Sequence, residues 1–506
     1  MIRRFIPALL LLANPLGASE TAPLHPLPDF LRVEDRRIVD DQGRTVILRG
    51  VNVNQLGDYF QGNPDVPATI PLERSDMERI AALGMDVVRL LVHWSRLEPE
   101  PGVHDTDYLA EIKEAVAWAK AMGIHIVLDM HQDAWGKHIA SDPDEPCRAS
   151  FMDPAIGWDG APEWATLTKG MPRCRLDLRE LSPAVMTAAE AFWQNEEGIQ
   201  DHLVDTWAWL AAEFKDDPTV VGYDLLNEPH WGIRYFRNLA VRKPRFYRDA
   251  TAAIRTAEDG GHPKIVFYEP FVLWSAFAFE PVVPWLSDSQ VVFAPHNYLG
   301  SISADMDLFG REIIPIWFGF WEAQREARRR NTTFWFGEWG WFGGESDYME
   351  RFAALEDLFQ VGSAFWQWKQ ACGDPHGVSW PEGDVPSGSG NLVRLRCKDP
   401  EEPAGVDLGL REDHALVLSR PYPRRFPGEA TWETDPFTAT IWMQGTSDLP
   451  APPAQVWIPG MANPLVETTG IRVSHAAQVP GGWILDLEPT DRTWEFEIQG
   501  EPYSAP

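Results

Sequence analysis

Val220-Val-Gly-Tyr-Asp-Leu-Leu-Asn227-Glu228-Pro229 runs from β-branched and apolar residues straight into an amide, a carboxylate and a proline. A short apolar run of this kind reads as a buried strand, so the polar residues that follow it stand at the strand's C-terminal end. A second run, Phe334-Trp-Phe-Gly337-Glu338-Trp339, also ends on a glutamate. With their limits at 220–226 and 334–337, these two join six further runs, at 46–53, 86–92, 125–130, 264–268, 290–294 and 363–367. Helical patterns lie between them at 74–83, 107–122, 198–214, 247–258, 318–330 and 348–359. Strands alternating with helices predict a parallel sheet wrapped by helices, and eight strands are the number that closes a (β/α)8 barrel. No glycine-rich phosphate turn follows the first strand, which disfavours an open doubly wound sheet. The fold class read from the sequence is therefore α/β, a (β/α)8 TIM barrel.

The flanks read differently. Leu31-Arg-Val, Arg37-Ile-Val and Thr45-Val-Ile-Leu, separated by Asp/Gly turns, predict a small hairpin leading into the first strand. Beyond Arg411, Pro421, Pro423, Pro427, Pro436, Pro450, Pro452 and Pro453 punctuate short strand-like runs with no helical period, which predicts a C-terminal all-β sandwich. Met1-Ile-Arg-Arg, an apolar stretch at 5–16 and Gly17-Ala-Ser are the parts of a secretory signal. The expected division is thus a signal peptide at 1–19, a catalytic barrel with its hairpin at 20–410 and a sandwich at 411–506, in a secreted or periplasmic protein.

The 506 residues carry 44 Lys and Arg against 75 Asp and Glu, a formal net charge of −31. Phosphate backbones repel such a polyanion, so nucleic acid is excluded as a partner. An exported chain meets an oxidising environment, and the simplest pairing of its four cysteines joins Cys147 to Cys174 and Cys372 to Cys397. The spacings contain no CxxC pair, which argues against zinc.

In a barrel, side chains just past the C-terminal strand ends converge on one mouth. Glu228 and Glu338 arrive there from opposite parts of the ring. Glycoside hydrolysis needs such a pair, one carboxyl to protonate the leaving oxygen and one to attack the anomeric carbon or activate water. Glu338 needs charge stabilisation to stay ionised, and Arg89, in the second strand, is the expected source. Glu228 has to start protonated. His131 and Asp133 follow the third strand, His296 and Tyr298 the sixth, and Trp366 lies in the eighth. A tyrosine hydroxyl can orient a carboxylate, Asn227 can bond a sugar 2-hydroxyl, and a tryptophan face can pack on a pyranose.

Through Arg89, His131, Asn227-Glu228-Pro229, His296-Asn-Tyr298, Glu338 and Trp366, the chain resembles glycoside hydrolase family 5 of the clan with catalytic carboxylates on strands four and seven. The resemblance covers the barrel from about Val46 to Gln370. It implies a retaining β-glycosidase with Glu228 as acid/base, Glu338 as nucleophile, the other residues as their supporting shell, and no cofactor or metal.

Asp129-Met-His-Gln-Asp133, Gly157-Trp-Asp-Gly-Ala-Pro162 and the trailing β-module resemble endoglycoceramidases and their glycolipid-acting relatives. That resemblance implies cleavage between sugar and ceramide, with Asp133 as a glycan contact. The apolar segment 270–286, which holds Phe271, Val272, Leu273, Trp274, Phe277, Phe279, Val282, Val283 and Trp285, follows the fifth strand and is expected to line a groove for a lipid aglycone or to touch a membrane transiently. Phe151, Met152, Trp158, Trp164 and Met171 are the expected opposite wall. Covering the barrel's own core is the competing role for all of these side chains.

The expected partner is a glycolipid or another β-glycoside, met by a monomer. The alternatives are a glucanase or mannanase acting on polysaccharide, a glucosylceramidase or steryl glucosidase, a non-catalytic glycolipid-binding barrel, and a metal-dependent hydrolase using His131 and His296.

Overall fold

The computed structural model describes residue 27 and residues 30–504, apart from 142–146, 148–151, 177, 282–286, 304–305, 307–309, 343–346, 378–389, 398 and 400. The expected signal peptide at 1–19 lies outside the described residues, as do Phe151, Val282, Val283 and Trp285 of the apolar segments.

Eight parallel strands form the ring: β1 (Arg49–Val53), β2 (Val87–Val92), β3 (His125–Met130), β4 (Val220–Asp224), β5 (Ile265–Tyr268), β6 (Val291–Phe293), β7 (Phe336–Trp339) and β8 (Ser363–Phe365). Their order is 6-5-4-3-2-1-8-7. The gap between β6 and β7 is closed by Trp335 N–H donating to Phe293 O at 2.9 Å and Asn297 N–H donating to Glu338 O at 3.0 Å. Every strand residue is buried, because the inner faces fill the barrel while the outer faces meet helices. Val87, Val127, Val221, Ile265, Phe267, Val292, Trp335 and Ala364 belong to one such buried cluster.

Seven longer helices accompany the strands: α1 (Arg74–Ala82), α2 (Thr106–Met122), α3 (Pro183–Gln194), α4 (Ile199–Phe214), α5 (Lys243–Ala257), α6 (Ile316–Arg329) and α7 (Tyr348–Phe359). The ends of α2 show why its limits were readable. The Asp105 carboxylate accepts from the N–H groups of Asp107 and Tyr108, and Gly123 takes the left-handed conformation that stops the helix. Helix α5 begins four residues before the predicted 247 and continues directly from a π-helical turn at Asn238–Arg242. Helix α3 has no counterpart among the predicted elements.

The predicted run 46–53 divides. Thr45–Val46 pairs with Val39 and with Arg425 and Phe426 outside the barrel, and β1 starts at Arg49. The N-terminal hairpin, Arg32–Glu34 with Arg37–Val39, belongs to the same seven-stranded antiparallel sheet, completed by Tyr422–Phe426, Ala454–Pro459, Gly482–Pro489 and Ile471–Val479. A four-stranded sheet of Glu429–Asp435, Thr440–Thr446, Thr493–Gln499 and Leu465–Thr469 faces it. Strict alternation along Thr493–Gln499 sends Trp494, Phe496 and Ile498 into the core shared by the two sheets.

The barrel and this sandwich are tied by buried polar groups. The Gly84 carbonyl, just beyond α1, accepts from Tyr422 Oη and Arg424 Nη2, both at 2.8 Å. Asp357 of α7 meets Arg49 of β1, Arg420 of the connecting segment at 3.5 Å, and the Trp432 indole N–H of the sandwich at 3.1 Å. Both cysteine pairs are disulfides, Cys147–Cys174 and Cys372–Cys397, each with Cα atoms 5.7 Å apart.

Candidate active site

Arg89 points from β2 into the mouth and is wholly buried. Its Nε donates to Asp224 Oδ2 at 3.0 Å and its Nη1 donates to Asn52 Oδ1 at 3.1 Å and to Glu338 Oε1 at 2.8 Å. Its Nη2 donates to Asn227 Oδ1 and Glu269 Oε1 at 3.0 Å and lies 3.0 Å from Asp129 Oδ1. Four carboxylates around one guanidinium hold that cation charged well above its ordinary range, against the penalty of burial.

Glu338 is the penultimate residue of β7, and its second oxygen accepts from Tyr298 Oη at 2.8 Å. Burial raises its pKa, while His296 and Arg89 pull in the opposite direction. His296 is the hinge of the site. Its Nδ1 lies 3.1 Å from Glu228 Oε1 and 3.4 Å from Glu338 Oε2, and its Nε2 lies 3.4 Å from Glu269 Oε1. Burial alone would lower His296, but Glu269 and Glu338 outweigh it and keep the ring charged. One oxygen of Glu228 and one of Glu338 lie within 4.8 Å of each other beside this ring.

Glu228 stands just past β4 with φ of 36°, in the left-handed region that a side chain rarely adopts. Its backbone is pinned on both sides. The Gln132 amide donates to Asn227 O at 2.7 Å and to Glu228 O at 3.0 Å, and Glu228 N–H donates to Glu269 Oε2 at 2.7 Å. The turn after β4 therefore aims the carboxyl back over the barrel axis at a conformational cost met by buried hydrogen bonds.

His131 Nδ1 donates to Asp129 Oδ2 at 2.7 Å. Burial holds its pKa down at about 3 despite Asp159 and Asp133, so the ring is neutral and Nε2 is an acceptor without a protein hydrogen-bond partner. Trp366 stacks on this ring, with centroids 5.4 Å apart and planes 16° from parallel. Asp133 receives Arg179 Nη2 at 2.6 Å and is bonded to His376 Nε2. Burial would raise Asp133, but Arg179 and His376 bring it below the usual carboxylate range. Arg179 also reaches to 4.0 Å from Glu228 Oε2.

The structure thus gathers Glu228, Glu338, Arg89, His131, Asp133, Asn227, His296, Tyr298 and Trp366 at one mouth. It adds residues that sequence reasoning did not select: Asn52, Gln132, Arg179, Glu269, Asp374 and His376. Glu269 had a readable signal, since it follows β5 directly as Glu228 follows β4. Arg179 and His376 lie in long loops after β3 and β8 and had none.

The three residues assigned to an aglycone groove do not meet in one wall. Trp274 is 3% exposed and packs edge-on against Phe293 in the main core, so core cover is its place. Trp158 is also buried and joins the Asp133 group, under the Arg179 guanidinium at 4.4 Å and edge-on to His376. Phe277 is 43% exposed. Of the expected opposite wall, Trp164 packs against Trp94 and His202, while Met171 is exposed.

The family model Cellulase (glycosyl hydrolase family 5) matches residues 39–371. Endoglycoceramidase I of Rhodococcus hoagii (strain 103S) is 32% identical over 281 residues, 53% of this chain and 52% of its own length. Endoglycoceramidase of Cyanea nozakii is 27% identical over 272 residues, 48% of this chain and 51% of its own. The chain spans about half the length of these curated relatives. Among solved structures, that of an endogalactoceramidase is similar with a TM-score of 0.82 at 42% identity, covering 94% of this chain and 100% of the other.

Proposed function

The chain belongs to glycosyl hydrolase family 5, and from that premise we propose that it is a retaining β-glycosidase cleaving the bond between glycan and ceramide in glycosphingolipids. The observation that carries the reading is the pair Glu228 and Glu338, with oxygens within 4.8 Å of each other. Retaining enzymes hold their carboxyls about 5–5.5 Å apart, whereas inversion needs a wider gap for water.

In the first step Glu338, oriented by Arg89 and Tyr298, attacks the anomeric carbon while Glu228 gives its proton to the leaving ceramide oxygen. In the second, Glu228 takes a proton from water, whose oxygen displaces Glu338 and releases the glycan with its configuration kept. His131, Asp133, Asn227 and Trp366 hold the sugar.

The glycolipid half of the reading is supported by the endoglycoceramidase relatives and by apolar side chains on the mouth loops. Phe236 and Val241 after β4, Phe277 and Phe279 after β5, and Ile313 and Trp317 after β6 are 43–77% exposed. These side chains are suited to a transient, apolar contact with a membrane surface, since the net charge of −31 repels anionic lipid. Export by the 1–19 segment would bring the enzyme to such surfaces.

Mass spectrometry of a mixed glycosphingolipid panel tests the substrate. Intact oligosaccharide plus free ceramide is the expected result; monosaccharide alone would make it a glucosylceramidase, and a ladder from glucan with no glycolipid turnover a polysaccharide hydrolase. Glu338→Gln and Glu228→Gln are each expected to lower turnover by about 10³-fold or more. Unchanged turnover in either would remove the carboxylate assignment, and turnover absent from the native chain would leave a glycolipid-binding barrel.

A further inference from the structure

We infer that His131, His376, Asp133 and Asp159 form a binding site for a divalent transition cation of the zinc class, and that the cation excludes the glycan. His131 Nε2, His376 Nε2 and Asp133 Oδ2 lie within 4.8 Å of one another. Asp159 lies beside this trio and turns a different oxygen to each ring, Oδ1 3.8 Å from His376 Nε2 and Oδ2 4.0 Å from His131 Nε2, and His131 Nε2 is 3.9 Å from Asp133 Oδ2. Zinc bonds of about 2.0–2.2 Å put tetrahedral ligands about 3.4 Å apart, so these three separations need contractions of roughly half an ångström. His376 Nε2 and Asp133 Oδ2 already touch, and they have to open by a larger movement to admit the ion.

Three further observations point to a ligand there. Oδ1 of Asp159, which is wholly buried, and Nε2 of His131 lack hydrogen-bond partners, while Asp159 Oδ2 lies 3.1 Å from His93 Nε2. Buried polar atoms in that condition mark a place where something binds. Each histidine is also oriented through its other nitrogen, His131 Nδ1 on Asp129 at 2.7 Å and His376 Nδ1 on Asp374 at 2.7 Å. A carboxylate behind each ring, aiming its Nε2 at a common point, is the arrangement that metal-binding histidines use. Finally, each of the other groupings near the mouth encloses a protein cation, whereas Arg179 and His376 reach this one at Asp133 and leave His131 Nε2 open. Asp129, Asp224 and Glu269 surround Arg89, and Glu228 and Glu338 flank a charged His296. Lone-pair nitrogens combined with carboxylates suit zinc and its neighbours and not calcium or magnesium.

When the cation enters, the proton shared by His376 and Asp133 leaves to solvent and both atoms turn to the metal. His131 and Asp133 then no longer face the sugar. The competition, unlike the binding, rests on the glycosidase reading, so the two are measured separately.

Zinc titrated by calorimetry into the full chain, stripped with chelator, is expected to bind at one ion per chain. Asp159→Asn and His376→Gln should each weaken binding by more than about 100-fold, and Asp374→Asn by about 10–100-fold through loss of ring orientation. Glu338→Gln, inactive, should bind zinc as the native chain does. Absorption spectroscopy at the zinc edge should report two imidazole nitrogens, a readout independent of turnover and of each variant's folding. Sub-stoichiometric binding, affinity unchanged in both Asp159→Asn and His376→Gln, or a spectrum without imidazole would overturn the site. In the active chain zinc should raise KM, leave kcat unaltered and be reversed by chelator. A fall in kcat at unchanged KM would overturn the exclusion of glycan while leaving the calorimetry to judge the site.

Discussion

Tyr298 and Arg89 hold the two oxygens of Glu338 by different means, a neutral hydroxyl and a buried charge. A hydrogen bond to a charged group contributes about 1.5–3 kcal/mol, so Tyr298→Phe is expected to lower kcat by about 10–100-fold with little change in KM, read from steady-state kinetics. Glu338 must be ionised to attack, and burial raises its pKa. Activity is therefore lost as pH falls through that raised value, which places the acid limb of kcat/KM above the ordinary glutamate range. Arg89→Lys weakens the opposing charge contact and should move the limb further up. A limb at the ordinary value in both proteins would contradict this account of Glu338. At this scale the sequence was readable wherever a polar residue stood at or just beyond the C-terminal end of a strand, as with Glu228, Glu338 and His131. It was silent on Arg179 and His376, whose loops are positioned by tertiary contacts with Asp133 and Asp374 rather than by any local pattern.

Among the elements, strands and amphipathic helices were legible because their burial is periodic, and α3 was missed because its burial is not. Nine of its residues, from Ala184 to Trp193, are buried around most of its circumference, leaving no polar face to set a period. The Ser182-Pro183 start was the available signal. The hairpin was recognised as strands, but Thr45–Val46 beside it pairs with Tyr422–Phe426, hundreds of residues away, and no local rule makes that pairing. The disulfides were legible as the simplest local pairing of four cysteines in a chain expected to be exported. The Cys372–Cys397 bridge closes a 25-residue separation containing His376. Replacing both cysteines by serine is expected to cost roughly 3 kcal/mol in denaturant unfolding and to raise KM for glycolipid, because the loop that presents His376 to Asp133 loses its tether. An unaltered KM would mean that the loop is held by packing alone.

Across the whole molecule, barrel and sandwich behave as one cooperative unit if the buried contacts between them are as strong as their geometry implies. Asp357 is the group that tests this, since it joins α7, β1, the connecting segment and the sandwich through Arg49, Arg420, Trp432 and Thr434. Burial pushes its carboxyl up, but Arg49 and Arg420 prevail and hold it below the usual range. A depressed carboxylate contributes stability that is present above its unfolded pKa of about 3.9 and is lost as pH falls through the folded value. Asp357→Ala leaves two buried guanidinium groups without this partner, and losing one side of a buried ion pair costs about 3–5 kcal/mol. The native chain is expected to unfold in a single calorimetric transition near neutral pH, and the variant at a markedly lower temperature. The difference should narrow on acidification below about pH 4, where the carboxyl of the unfolded chain begins to protonate, and vanish below the lower native value. Two separate transitions in the native chain, or a small difference that does not vary with pH, would show instead that the sandwich and barrel fold independently and that Asp357 only decorates their boundary.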